Sequence, residues 1–464
     1  MKSSLLLRVW SFTTRAVLLV LTATVILPHA AEASPAPGTV LWHSTFGPSS
    51  GAVSALAVSP DGSKVFAAGG VVVAAFTTSG VQAWVKTVSG ANLTGVVVSP
   101  DGTKVFVSGT RYDGDLGSGG TIEDVLTIGF EVATGNKLWT RTYDRGAMDG
   151  DPTTTSQHDY GYAIGISPDG NSVFVVGEVQ RVFNSNTHPD YGTLSYDAAT
   201  GHREWASFYD GGVGADSPRS LVVSPDGSAV YVTGYSASNQ SSALTTVAYD
   251  TSDGSQKWVQ PWEGPAGRNE TGWSLAADPD GSAIYLTGGT GGTDNGTQDW
   301  DIVTMALDTT DGSVLWDKLL NGPSDGYDFG RSVTVNDAGT RVYVVGHSRG
   351  SAATYDITTL AYNVATGDRL WVRRAPGPSV NFGLTGDVAV SPDGSKILVA
   401  SYRARSGQTD TSTISYSAAG ALRWKDSSSV TPYDRLTSAA INPAGTRAFV
   451  GGSTSNDAIL AYKL

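Results

Sequence analysis

The groups in this chain best suited to chemistry are two histidines set among carboxylates. His158 precedes Asp159, His188 stands two residues before Asp190, and Asp149 and Asp151 lie a few positions upstream. Imidazole with carboxylate suits a divalent metal, calcium or another, or a general acid–base pair. No HxH or HExxH spacing accompanies them, and solvated loop residues are the plain alternative. Gly47-Pro48-Ser49-Ser50-Gly51 matches G-x-S-x-G, with His43 nearby. A nucleophile elbow needs a strand–turn–helix. EGPAG at 263–267 and NGPSDG at 321–326 instead mark this segment as a repeated turn. Trp262, Trp273 and Trp300 are candidate anchors for a sugar or peptide. Two series of acids complete the inventory: Asp159, Asp216, Glu270, Asp328 and Asp434, and Asp124, Asp190, Asp301, Asp356 and Asp410. Their repetition points to bonds with backbone N–H groups at loop ends. Their charge could also form a negative funnel for cations.

What must position these groups is a repeat. A short apolar strand, Ser-Pro-Asp-Gly or a variant, and a second apolar strand ending in glycine begin at Ser59, Ser99, Ser167, Ser224, Asp278, Asn336, Ser391 and Asn442. Proline and glycine make the tetrapeptide a tight turn. In the fourth unit the strands are read as Ser220–Val223, Ala229–Thr233 and Leu244–Tyr249, with a fourth carrying Trp258. A second signature closes each unit, as in FEVATGNKLW at 130–139 and YNVATGDRLW at 362–371. Its tryptophans are expected to anchor blade to blade. The eighth copy is split between GTVLW at 38–42 and AILAYKL at 458–464. The fold is therefore predicted to be all-β, an eight-bladed propeller of four-stranded antiparallel blades. Its ring closes by pairing the N-terminal strand with the C-terminal blade, leaving no open sheet edge.

The signature SYDAATGHREW at 195–205, with AYDTSDGSQKW at 248–258, resembles the tryptophan-docking repeat of the quinoprotein-dehydrogenase-like eight-bladed propellers. The SPDG turns resemble those of lactonase-type and other bacterial surface propellers. The resemblance implies the fold over nearly the whole chain. For the family's dehydrogenases it implies pyrroloquinoline quinone (PQQ) over calcium, commonly beside a vicinal cysteine disulfide. This chain has no cysteine, and its residues match neither the calcium ligands nor the catalytic aspartate, so PQQ is not expected. The resemblance also implies that many family members with only the docking repeat bind no quinone and act as interaction scaffolds.

Residues 1–33 read as a signal peptide: Lys2, Arg8 and Arg15, then the apolar Ala16–Leu27, Pro28, and Ala31-Glu32-Ala33 before Ser34. Twelve apolar residues fall short of the about 20 that span a bilayer. The remainder, 34–464, is expected to be one propeller domain, secreted and monomeric. Loss of the leader shifts the net charge from −13 to −15, which disfavours nucleic acid and anionic membrane as partners. The expected function is extracellular binding or scaffolding, with a small molecule, glycan or protein as partner. An enzyme on the loop-bearing face is the alternative, a metal-assisted hydrolase or lactonase or, further off, a quinone-dependent dehydrogenase. On that face the longest connections, 109–123, 143–161 and 177–191, gather around the second and third units.

Overall fold

Each Ser-Pro-Asp-Gly turn is closed by its own side chains. The Ser59 hydroxyl donates to Asp61 Oδ1 at 2.6 Å and accepts from the Lys64 N–H at 2.9 Å. Gly62 takes φ 68°, a conformation that a β-carbon would strain. Where asparagine replaces the serine, its side-chain oxygen takes over, as Asn336 Oδ1 accepts from the Arg341 N–H at 2.8 Å. These bonds, from Ser59 first, hold Asp61 down to about 2.

The computed structural model describes residues 34–46, 52–115, 121–145, 158–183, 186–212, 214–237, 241–265, 269–294, 297–350, 354–377, 386–405, 408–427, 435–454 and 456–464. The residues read as a signal peptide, with Asp149, Asp151 and Asp434, lie outside them. Ala36–Leu464 forms one unit. Its strands form eight four-stranded sheets, antiparallel throughout. The first strands of the blades are β2 (Ala55–Val58), β6 (Ala91–Val98), β10 (Tyr160–Ile166), β14 (Asp216–Val223), β18 (Asn269–Ala277), β22 (Phe329–Val335), β26 (Asp387–Val390) and β30 (Arg435–Ile441). Each touches the next, and β30 touches β2, so these strands line the axis of a closed ring.

Closure runs through the eighth sheet. β1 (Val40–Phe46) pairs antiparallel with β32 (Asn456–Lys463), with Val40 opposite Tyr462 and Phe46 opposite Asp457. Buried side chains form clusters that each draw on two adjacent blades. Tyr231, Ala248 and Trp258 of the fourth blade, for example, meet Leu286, Met305 and Leu307 of the fifth. The docking tryptophans add a polar tie. The Trp139 indole N–H donates to the Ala198 carbonyl at 3.1 Å, Trp205 to Thr251 at 2.8 Å and Trp316 to Val364 at 2.8 Å, always one blade onward. Each ring lies on the glycine of the next blade's turn. A β-carbon on Gly201 (φ 68°) would stand 2.5 Å from Trp139. The seventh-blade Trp424 meets Gly38 in the same way, carrying the docking pattern across the closure.

The long connections differ from the sequence reading. Most of 109–123 and 177–191 is ladder, not loop. β7 (Lys104–Asp115) pairs with β8 (Thr121–Glu131), and β11 (Ser172–Phe183) pairs with β12 (Asn186–Asp197) out to Phe183 opposite Asn186. Backbone pairing runs on past the apolar strands that the sequence reading assigned, because a ladder needs only N–H and C=O groups.

Candidate functional site

Six of the eight first strands carry a one-residue register shift near their start, at Thr94, Tyr162, Arg219, Trp273, Arg331 and Thr437. The ladder resumes one residue late, and the extra residue is re-aimed. A glycine within the second strand, opposite the bulge, makes room for it. A β-carbon on Gly234 would lie 2.1 Å from the Ser217 carbonyl oxygen. Bulge residues of neighbouring blades then meet. The Arg219 guanidinium lies 4.9 Å from the Tyr162 ring centre and 5.3 Å from that of Trp273. Arg331 lies 4.4 Å from Trp273 and 5.1 Å from Phe329.

This belt extends at both ends. His158 stacks on Tyr160 at 6.1 Å, and Tyr160 on Tyr162 at 6.5 Å. Trp300 stacks on Tyr327 at 5.8 Å and lies tilted against Phe329 at 4.8 Å. His158, Trp273 and Trp300 are thus parts of one aromatic and cationic band over four consecutive blades. The bulge residues fall early in the strands, near the loop-bearing face. Arg219, Trp273 and Arg331 are half-buried. Among the described residues neither arginine has a carboxylate within ion-pair distance, and the Arg219 and Arg331 Nε and Trp273 Nε1 atoms have no hydrogen-bond partner. Burial pushes the Arg331 guanidinium down to about 10. Burial, with Arg331 nearby, pushes His347 down to about 3, so this buried imidazole is neutral.

The acids that open the first strands point away from the solvent. Asp159, Asp216, Glu270 and Asp328 are all buried. Asp159 accepts from the Arg145 and Gln180 N–H groups, both at 2.8 Å. Asp328 accepts from the Arg349 N–H at 2.6 Å and from the Gly322 N–H. Each therefore ties the incoming loop to the second strand of its blade. Burial, reinforced by neighbouring carboxylates, pushes Asp159 and Asp328 up to about 7.

Among the described residues, His158 and His188 belong to no converging group of three or more metal-ligating side chains. His158 Nδ1 is 2.5 Å from Glu123 Oε2. His188 stands in the β11–β12 hairpin opposite Arg181. The carboxylates that do converge among the described residues are Asp190, Asp210 and Asp216, with oxygens all within 4.8 Å of one another. Arg145 Nη1 holds Asp190 Oδ2 at 2.7 Å. Trp262 packs half-buried against the cluster between the fourth and fifth blades.

Tyr162, Arg219 and Arg331 escape a reading by hydropathy, because a bulge breaks the alternation of side chains. Their signal is positional. Each stands three residues after the acid of its repeat, with glycine or proline between: DYGY at 159–162, DSPR at 216–219, ETGW at 270–273 and DFGR at 328–331.

The family described as outer membrane protein assembly factor BamB matches residues 163–359 and 303–452. No curated protein sequence matches the chain. Among solved structures, the C-terminal WD40 domain of Sif2 aligns with 93% of this chain and 100% of its own, at 11% identity and TM-score 0.55. A quinohemoprotein alcohol dehydrogenase from Pseudomonas putida HK5 aligns with 92% of this chain and 76% of its own, at 11% identity and TM-score 0.55. At that identity both show the propeller fold and nothing of the activity.

Proposed function

The chain belongs to the family described as outer membrane protein assembly factor BamB, and with that membership as premise we propose that it is an exported, non-enzymatic binding propeller. Its site is the belt at the loop-bearing end of the channel, and its ligand carries a carboxylate. The observation that carries this reading is the order Tyr162, Arg219, Trp273, Arg331 around four successive blades, with two guanidiniums that no described carboxylate neutralises. Guanidinium recognises carboxylate with paired N–H bonds, and aromatic faces add area on which a sugar ring or a side chain can lie. Because the belt runs along rigid strands, it is organised before the ligand arrives.

The overall charge of −13 makes such a site selective, since the rest of the surface repels anions. Family membership accords with binding, an assembly factor being one that works on other proteins. The geometry weighs against PQQ: the Trp273 indole is already in contact with two guanidiniums and offers no open floor for a flat quinone. Reconstitution with quinone and calcium, followed by dye reduction over alcohols and sugars, should give no turnover. The direct test of binding is titration of the tryptophan fluorescence. Oligogalacturonate and carboxylate-rich peptides would be compared with neutral oligosaccharides of equal length. A saturable change with one of the carboxylated ligands and none with the neutral ones is expected. Equal responses to both kinds, or no response to any carboxylated ligand, would sink the proposal.

A further inference from the structure

On the premise that the belt binds carboxylate, we propose that its ligand is an acidic peptide that also carries a primary ammonium, and that Glu178 receives the ammonium. The geometry turns on one phenol. The Tyr162 hydroxyl donates to Glu178 Oε2 at 3.2 Å, while the Arg219 guanidinium lies 4.9 Å from the centre of the Tyr162 ring. Burial raises the Tyr162 hydroxyl above its usual value, and Glu178 and Arg219 then act on it with opposite sign. An anion and a cation thus stand beside one tyrosine. Among the described residues neither has an oppositely charged group within ion-pair distance.

Each charge is fixed by its own strand. Glu178 follows Gly177 in β11, and Arg219 stands at the bulge of β14 in the next blade. The Ser217 hydroxyl, also from β14, donates to Glu178 Oε2 at 2.6 Å and holds the carboxylate across the junction. Both bonds fall on one oxygen. Glu178 is half-buried, and its Oε1 accepts from no described residue and is not sealed from solvent. A carboxylate has about four acceptor positions, so part of its capacity remains for a ligand. The chemistry of that ligand follows. A polyuronate brings carboxylates for Arg219 and Arg331 but meets Glu178 with like charge. Glu123, which shares the surroundings of Tyr160 with Glu178, adds to the negative end of the belt. A peptide can bring both charges: acidic side chains for the guanidiniums, and an ammonium, from its amino terminus or a lysine, for Glu178. The ammonium is a compact charge with three donors, suited to a single carboxylate oxygen. Because Glu178 and Arg219 meet around one phenol, the ammonium and the first carboxylate must lie close together in the peptide.

Calorimetric titration of the full chain tests this with amidated Ala-Asp-Asp, the same peptide acetylated at its amino terminus, acetylated Lys-Asp-Asp and trigalacturonate. One of the two ammonium-bearing peptides should bind about tenfold or more tighter than the acetylated alanine peptide. Which of them gains tells the amino terminus from the lysine side chain. Glu178→Gln keeps an acceptor for the Tyr162 and Ser217 hydroxyls and should fold. In that variant the gain should vanish, and trigalacturonate should bind more tightly than it does to the parent. A gain that persists in Glu178→Gln would overturn the proposal and leave the carboxylate site standing. So would an acetylated alanine peptide that binds the parent as tightly as both ammonium-bearing ones. Absence of binding by every one of these ligands would overturn the carboxylate site as well. The comparison of acetylated with ammonium-bearing peptides needs the parent chain alone, so it decides even if Glu178→Gln fails to fold.

Discussion

A glycine and an indole make the smallest unit of this architecture. Trp139 lies on Gly201, whose φ of 68° and lack of a β-carbon let the ring approach, while its N–H reaches the Ala198 carbonyl. Gly201→Ala should cost about 1–3 kcal/mol from positive φ and overpacking. Trp139→Ala should cost about 3–5 kcal/mol by opening a cavity between blades. Denaturant unfolding of both variants checks these figures; a Gly201→Ala protein as stable as its parent would contradict the docking geometry. The tryptophans were legible in the sequence because one residue type recurs in one slot. The belt was not, since its bulge members Tyr162, Arg219, Trp273 and Arg331 differ from blade to blade and share only a position after the acid. Trp273 and Trp300 drew attention by their type, Arg219 and Arg331 by nothing a hydropathy pattern records.

Strands and loops are joined by the buried acids, and this junction should respond to pH. Asp328 and Asp159 are raised to about 7, burial being the chief cause, against a reference value of 3.8. Between those limits the folded chain keeps protons that the unfolded chain has lost. Their contribution to stability therefore falls as pH rises from about 4 to about 7 and is level above. The turn aspartates act in the opposite sense. Asp61, Asp101 and Asp393 sit at about 2 in the fold, so their contribution is lost as pH drops through the range between about 4 and about 2. Melting temperatures should thus rise on acidification from pH 8 to about 5 and drop again below about 4. Asp328→Asn should flatten the upper slope, and an unaltered slope in that variant would show that the proton is held elsewhere. Element lengths were the least legible feature. The sequence reading ends the second strand of the fourth blade at Thr233, yet β15 (Ala229–Ala237) continues, because pairing outlasts the apolar run. Likewise the meeting of Asp190, Asp210 and Asp216 depends on how two blades abut, which no local pattern contains.

At the scale of the whole molecule, closure and site depend on each other, because the belt needs neighbouring blades held at fixed separation. Closure was the most legible feature of all, since half of one signature stands at each end of the chain. Deleting residues 34–46 removes β1 and its pairing to β32, exposing a sheet edge and the apolar surface around Phe46. A loss of several kcal/mol is expected, and a truncated protein that melts within a degree or two of the parent would contradict ring closure. The belt itself is tested most directly by one calorimetric comparison. The carboxylated ligand found by fluorescence would be titrated into the parent chain and into the double variant Arg219→Gln/Arg331→Gln. Since neither arginine is ion-paired among the described residues, the variant should melt within a few degrees of the parent. Its affinity should fall at least about a hundredfold, at about 1.5–3 kcal/mol for each hydrogen-bonded charge lost. A double variant that folds and binds as tightly as the parent would show that the ligand sits elsewhere and that the belt only supports the ring.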